Sequence, residues 1–139
     1  MVEEIAKELA RKLRKIDFDL LVGPEVKVVP LLQEVSKLLG KEKYVVLRKR
    51  IHGYMVNPLV LREATGLVIN GSDAKLVKSK KTVILDDVVS SGTTMEMVER
   101  LIFLAGGRVE ARVAVLKQGK GAKTLENIIF LGELPVFRT

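Results

Sequence analysis

The sequence predicts an α/β fold, a parallel sheet with helices on both faces. Two stretches read strand, helix, strand: residues 20–47 and residues 82–116. Their strand segments are short apolar runs without polar alternation, the pattern of strands buried on both faces. Composition agrees, since 47% of the 139 residues are hydrophobic and only 4% aromatic, so the core must be aliphatic. That length suits one domain, assigned to residues 1–139, with room for a sizeable core.

Taken in order, residues 2–16 place Ile5, Leu9, Leu13 and Ile16 on one face with Lys, Arg and Glu opposite. This is an amphipathic surface helix. Asp17-Phe18-Asp19 breaks it, and residues 20–22 form a short buried strand. Gly23-Pro24-Glu25-Val26-Lys27 turns the chain into a second helix over residues 28–39, closed by Gly40, with Lys37 in its last turn. Pro30 falls early enough in that helix to be tolerated. Tyr44–Leu47 is the next strand, and Arg48-Lys49-Arg50 follows it directly.

Beyond Asn57-Pro58, residues 59–61 and 67–69 suggest a β-hairpin, with Asn70-Gly71 turning out of it. Residues 75–81 are basic and polar and are expected to run along the surface to the central strand, residues 82–85. A helix over residues 94–105 buries Met95, Val98, Leu101 and Ile102 and stops at Gly106-Gly107. Residues 109–116 form a strand, 117–124 a mobile loop with two glycines and three lysines, and 128–131 a last short strand before a tail.

Cysteine is absent, which excludes disulfides, thiol chemistry and zinc–thiolate sites. The first residues do not read as a signal peptide, and no apolar run approaches the roughly 20 residues of a membrane span. The expected compartment is the cytoplasm. Lys and Arg number 24 against 17 Asp and Glu, a net charge of +7. Such a balance suits nucleic acid or a ligand carrying several phosphates, and charge alone does not choose. The lack of an aromatic-rich sheet face, a zinc spacing or a helix-turn-helix pair counts against nucleic acid.

The chemistry concentrates at residues 82–95, Thr-Val-Ile-Leu-Asp-Asp-Val-Val-Ser-Ser-Gly-Thr-Thr-Met. An apolar strand runs into two carboxylates, then into a small hydroxyl-rich loop ending at a helix N-terminus. Free amides and the macrodipole there favour an anionic oxygen. In open α/β sheets ligands lie beyond the carboxyl ends of the strands, where this loop falls. The natural ligand is a phosphorylated polyol.

From Thr82 to Thr94 every position is similar to the phosphoribosyl pyrophosphate (PRPP) motif of the type I phosphoribosyltransferases. The resemblance implies that family's fold over most of the chain. It implies that Asp86 and Asp87 bind the ribose hydroxyls, directly or through Mg²⁺, and that Ser90, Ser91, Gly92, Thr93 and Thr94 wrap the 5′-phosphate. Gly23-Pro24-Glu25-Val26-Lys27 resembles the family's pyrophosphate loop, in the Gly-Pro-Glu-x-Arg form of adenine phosphoribosyltransferases. Lys27 stands where that form has arginine, so the cation meets an anion as a point charge and not as a fork. Glu25, Val26 and Lys27, with Arg48 and Lys49 of the basic run, are the pyrophosphate candidates. His52-Gly53 resembles a Lys/His loop of orotate phosphoribosyltransferases only in part.

The implied reaction moves 5-phosphoribosyl from PRPP to a nucleobase, with release of pyrophosphate. Hypoxanthine–guanine enzymes usually carry Asp where this chain has Ser90, whereas adenine enzymes carry a small residue, so adenine is favoured. A cover for the base is expected from residues 50–70 or 132–137. Orotate is the next candidate, and a regulator that binds PRPP or a nucleotide without transfer is the alternative of another class. No appended DNA-binding segment is read here, which favours an enzyme. The resemblance also implies a homodimer.

Overall fold

The computed structural model describes residues 2–24, 27–48, 59–60, 67–89, 92–118 and 128–134. The elements follow as α1 (Val2–Leu13), β1 (Leu20–Pro24), α2 (Val29–Leu38), β2 (Tyr44–Leu47), β3 (Leu59–Val60), β4 (Val68–Ile69), α3 (Gly71–Val77), β5 (Lys81–Val89), α4 (Thr93–Leu104), β6 (Arg108–Gln118) and β7 (Ile128–Leu134). Five strands form one parallel sheet in the order β2-β1-β5-β6-β7, and β3 pairs antiparallel with β4 in a small ribbon.

Strand alternation divides the buried side chains into two cores, one on each face. Leu21, Val46, Val83, Leu85, Val113 and Val115 face α1 and α2, whose Leu9, Leu13, Leu32 and Val35 fill the first. Leu20, Val22, Val45, Leu47, Ile84 and Ala114 face α4 and the end of α3, where Val77, Val98, Leu101 and Ile102 fill the second. Helices on both faces therefore follow from the residues as the sequence suggests. α1 buries Ala6, Leu9, Ala10 and Leu13, the i, i+3, i+4, i+7 stripe of a helix lying on a sheet.

Both main crossover helices end where their glycines predict. After α2 the Lys41 amide donates to the Ser36 carbonyl at 2.8 Å, and after α4 the Gly107 amide donates to that of Ile102 at 2.9 Å. These bonds satisfy carbonyls that the last turn leaves without helical partners.

Several elements differ from the sequence reading. α1 stops at Leu13 and not at residue 16, because Ile16 closes a turn by donating its amide to the Leu13 carbonyl at 3.0 Å. Gly71–Val77 is a helix, where a turn and a basic surface segment were expected. Val77 is its buried anchor, and Asp73 in its first turn suits the helix N-terminus. β5 continues through both acids to Val89, because β6 pairs with it up to Val89↔Lys117. β6 and β7 likewise run on to Gln118 and Leu134. The hairpin of residues 59–69 is present as β3 and β4. Among the described residues no helix is long and apolar enough to cross a membrane.

One core position is left imperfect. Ser36 on α2 is 2% exposed, and its hydroxyl has no hydrogen-bond partner among the described residues. A buried, unsatisfied hydroxyl costs about 1–3 kcal/mol, and alanine is also the better helix former. Ser36→Ala is therefore expected to raise stability by about 1 kcal/mol, read as an upward shift of the urea midpoint at unchanged slope. A lower midpoint would show that the hydroxyl is satisfied in solution.

Candidate functional site

β1 and β5 lie side by side, yet the chain leaves them in opposite directions, toward β2 from one and toward β6 and β7 from the other. The crevice beyond their carboxyl ends is the topological switch point of the sheet. Pro24, which ends β1, is level with Leu47, and Arg48 follows immediately at the end of β2. Val22 is level with Ile84, so Gly23 and Pro24 lie beside Leu85 and Asp86. The ends of β1, β2 and β5 thus meet at one edge.

Gly23 makes that approach possible. A Cβ at this position would lie 2.6 Å from the Leu85 carbonyl oxygen and 3.0 Å from Leu32 Cδ1. Any side chain would push β1 away from β5 just where the turn into α2 begins.

The two carboxylates are not equivalent. By strand alternation Asp86 shares the face of Ile84, toward α4, and Asp87 shares the opposite face. Asp86 is 7% exposed, and its Oδ1 accepts the Asp87 amide at 2.7 Å. Asp87 is half-buried, and its Oδ1 accepts the Val88 amide at 2.8 Å. The sheet therefore presents two carboxylates whose orientation is fixed by backbone donors.

α4 begins across from them. Its N-cap, Gly92, adopts the left-handed conformation (φ 85°), and no side chain caps the helix. The first-turn amides of Thr93, Thr94 and Met95 lie at the positive end of the dipole, where an anionic acceptor is favoured. α4 is seated by Val98, Leu101 and Ile102 and tied to β6 by Arg112, whose Nε donates to Glu99 Oε2 at 3.0 Å. α2 opens on the same crevice, again without a side-chain cap, with Pro30 in its first turn.

Lys27 is exposed in the turn between β1 and α2. Arg48 is half-buried and bridges to β4, its amide donating to the Val68 carbonyl at 2.8 Å and its carbonyl accepting the Val68 amide at 2.7 Å. Of the sequence candidates, the structure brings Asp86, Asp87, Gly92, Thr93, Thr94, Lys27 and Arg48 to this edge. Glu25, Val26, Lys49, Ser90 and Ser91, together with His52, lie outside the described residues.

Asp73 was missed by the sequence reading. Half-buried on α3, it has a carboxyl pushed up by burial, against the opposing pull of Arg48. Asn70 followed three residues later by Asp73 was the available signal for a helix start there.

Residues 1–130 match the family model of the phosphoribosyl transferase domain. The chain belongs to that family. Among its relatives is the hypoxanthine/guanine phosphoribosyltransferase of a Methanocaldococcus species, 31% identical over 132 residues, covering 88% of this chain and 64% of the relative. The protein of the same name from Methanocaldococcus jannaschii is also 31% identical over 132 residues, covering 88% of this chain and 69% of its own. The chain thus spans about two thirds of the length of these relatives. Among solved structures, the adenine phosphoribosyltransferase of Thermoanaerobacter pseudethanolicus superposes with a TM-score of 0.81 at 25% identity, covering 94% of this chain and 79% of that one. The family's fold is the one described above. Both sets of names are those of purine enzymes, and they do not confirm the preference for adenine drawn from Ser90.

The raised Asp73 carboxyl has a consequence for stability. Its proton is held to higher pH in the folded chain than in the unfolded one, so stability falls as pH rises between the two pKa values. Asp73→Asn removes that loss. It is expected to be at least as stable as the parent at pH 7, with the difference shrinking as pH falls through the carboxylate range. Urea denaturation of both proteins across pH measures this, and a variant that is weaker only at neutral pH would show the reverse sign.

Proposed function

We propose that this chain transfers the 5-phosphoribosyl group of PRPP to a purine base and releases pyrophosphate. One observation carries the reading: two oriented carboxylates and two helix N-termini without side-chain caps converge on the switch point of the sheet. A phosphorylated ribose needs that pairing, acceptors for its hydroxyls and donors for its phosphate.

In this reading Asp86 and Asp87 accept hydrogen bonds from the ribose 2′- and 3′-hydroxyls. Ser90, Ser91, Gly92, Thr93 and Thr94 hold the 5′-phosphate with backbone amides and hydroxyls at the start of α4. Glu25, Val26 and Lys27 after β1 and Arg48 and Lys49 after β2 receive the pyrophosphate, with the cations offsetting its charge. The bond from C1′ to the pyrophosphate oxygen breaks as a base nitrogen bonds to the opposite face of C1′, which inverts that carbon. The base nitrogen gives its proton to solvent. Positive charge develops on the ribose as the leaving group departs, and the fixed carboxylates beside it stabilise that charge without reorganising.

The donor set also fits Mg²⁺. Among the described residues no cluster of three or more His, Cys, Asp or Glu side chains forms a protein cage. Mg²⁺ is commonly held by one or two carboxylates plus substrate phosphates and water, and Asp86 and Asp87 supply the protein share of such a site. When bound, the ion neutralises pyrophosphate charge.

Residues 1–139 are proposed to act as one domain, in the cytoplasm and as a homodimer, which the family resemblance supports. The acceptor is a purine, because the hypoxanthine/guanine name of the sequence relatives and the adenine name of the structural neighbour share that class. Incubation with labelled PRPP, Mg²⁺ and adenine, hypoxanthine, guanine or orotate in turn is expected to yield nucleotide and pyrophosphate with a purine. Turnover with orotate alone would overturn the purine assignment, and binding without turnover on every base would identify a regulator.

The site itself is tested separately. Hydrogen bonds to charged groups contribute about 1.5–3 kcal/mol each, so Asp86→Asn with Asp87→Asn is expected to weaken PRPP binding by about 10²-fold or more. Calorimetry measures the affinity, and circular dichroism checks that the fold survives. Unchanged affinity in a folded double variant would remove these residues from the site.

A further inference from the structure

The opposite end of the molecule, where β5 and β6 begin, carries a surface that the transfer reaction does not use. α4 finishes there with Phe103 78% exposed and Leu104 57% exposed. Among the described residues only Val2 joins them as a large exposed apolar side chain. A single such residue is ordinary on a protein surface. Two in succession are not, on the last turn of a helix whose core face is already supplied by Val98, Leu101 and Ile102.

The turn into β5 packs beside them. Lys78 and Lys80 are exposed, with Ser79 between them at φ 62°. The Ser79 amide donates to the Gly106 carbonyl at 2.9 Å, and the Arg108 amide donates to the Lys80 carbonyl at 2.9 Å. A Cβ at Gly107 would lie 2.5 Å from Val77 Cγ1, so the two turns are in full contact. This lacing fixes the apolar pair relative to the lysines before anything binds.

The acids Asp17, Asp19 and Glu110 at this end already have partners. Asp17 is paired with Lys81 Nζ at 2.5 Å, and Asp19 accepts the Lys81 amide at 2.9 Å. Glu110 meets Arg108 Nε at 3.1 Å. Neither Lys78 nor Lys80 forms an ion pair with a described residue.

We propose that this end docks an acidic segment of a partner protein that also bears apolar side chains. Its apolar groups cover Phe103 and Leu104, and its carboxylates meet Lys78 and Lys80. Charge complementarity selects that occupant. A symmetric contact with a second copy would set these lysines near their own kind, and two side chains fall well short of the roughly 800 Å² per partner of a stable protein interface. A phosphate backbone would use the lysines and leave Leu104 uncovered. A short segment matches the size of the patch, and the preformed surface limits the ordering cost of binding.

The test uses the full chain and a short fluorescein-labelled peptide in which Leu and Phe alternate with Glu and Asp. Fluorescence anisotropy is expected to show saturable binding that weakens about tenfold or more in Phe103→Ser/Leu104→Ser and in Lys78→Glu/Lys80→Glu. The charge-reversed variant is expected to gain affinity for the same peptide with Lys in place of its acids, which a misfolded protein would not do. Turnover of PRPP is expected to stay at the parental rate in both variants, because the surface lies away from the crevice. Absence of saturable binding would overturn the proposal, as would equal affinity in the serine variant. Tighter binding of a single-stranded oligonucleotide, lost with the lysines and kept without Phe103 and Leu104, would assign the surface to nucleic acid instead.

Discussion

The structure depends on how closely β1 can approach β5. Two parallel strands reach their normal spacing along most of their length with any residue, but here the chain must also turn off β1 into α2 beside the Leu85 carbonyl. Only a residue without a side chain leaves space there, and Gly23 occupies the position. With Leu20–Val22 of β1 paired to Thr82–Ile84 of β5, the loops after the two strands open onto the same crevice. Had β1 been held away, the acids of β5 would face solvent on one side, and α2 would open elsewhere. The convergence of charged groups on one edge is thus a consequence of backbone packing.

That packing also explains how a carboxylate comes to be buried at the end of an apolar strand. Burial of a carboxylate is unfavourable, and a backbone donor aimed at it offsets part of the cost. The Asp87 amide provides one to Asp86, because the strand continues past the acids and fixes the peptide between them. The pair is consequently rigid, one member facing α4 and the other the opposite side. A ligand meeting both would have to straddle the end of the strand, a demand on shape as well as on charge.

Much of this was legible in the residues. Unalternated runs such as Val-Ile-Leu before Asp86 mark strands covered on both faces, and both cores form on that basis. What the residues did not show were features set by partners distant in sequence. β5 outlasts its apolar run because β6 continues beside it, and nothing in Asp-Asp-Val-Val announces that pairing. α3 was hidden for another reason. Its seven residues carry only one buried anchor, Val77, too few for a helical period to stand out among lysines. Asp73 went unnoticed with it, since the nearness of Arg48 arises from the bridge to Val68.

The clamp at the start of the central strands bears on how the molecule forms. Asp19 and Lys81 exchange backbone and side-chain bonds across 62 positions of chain. Contacts so far apart in sequence close late, because the intervening loop must lose its freedom before they return any energy, and non-local parallel pairing is intrinsically slow. The crevice therefore has no existence in a half-assembled chain. It is completed only with the whole sheet, so a nascent polypeptide released before β5 would carry the turn between β1 and α2 and none of the acids beside it.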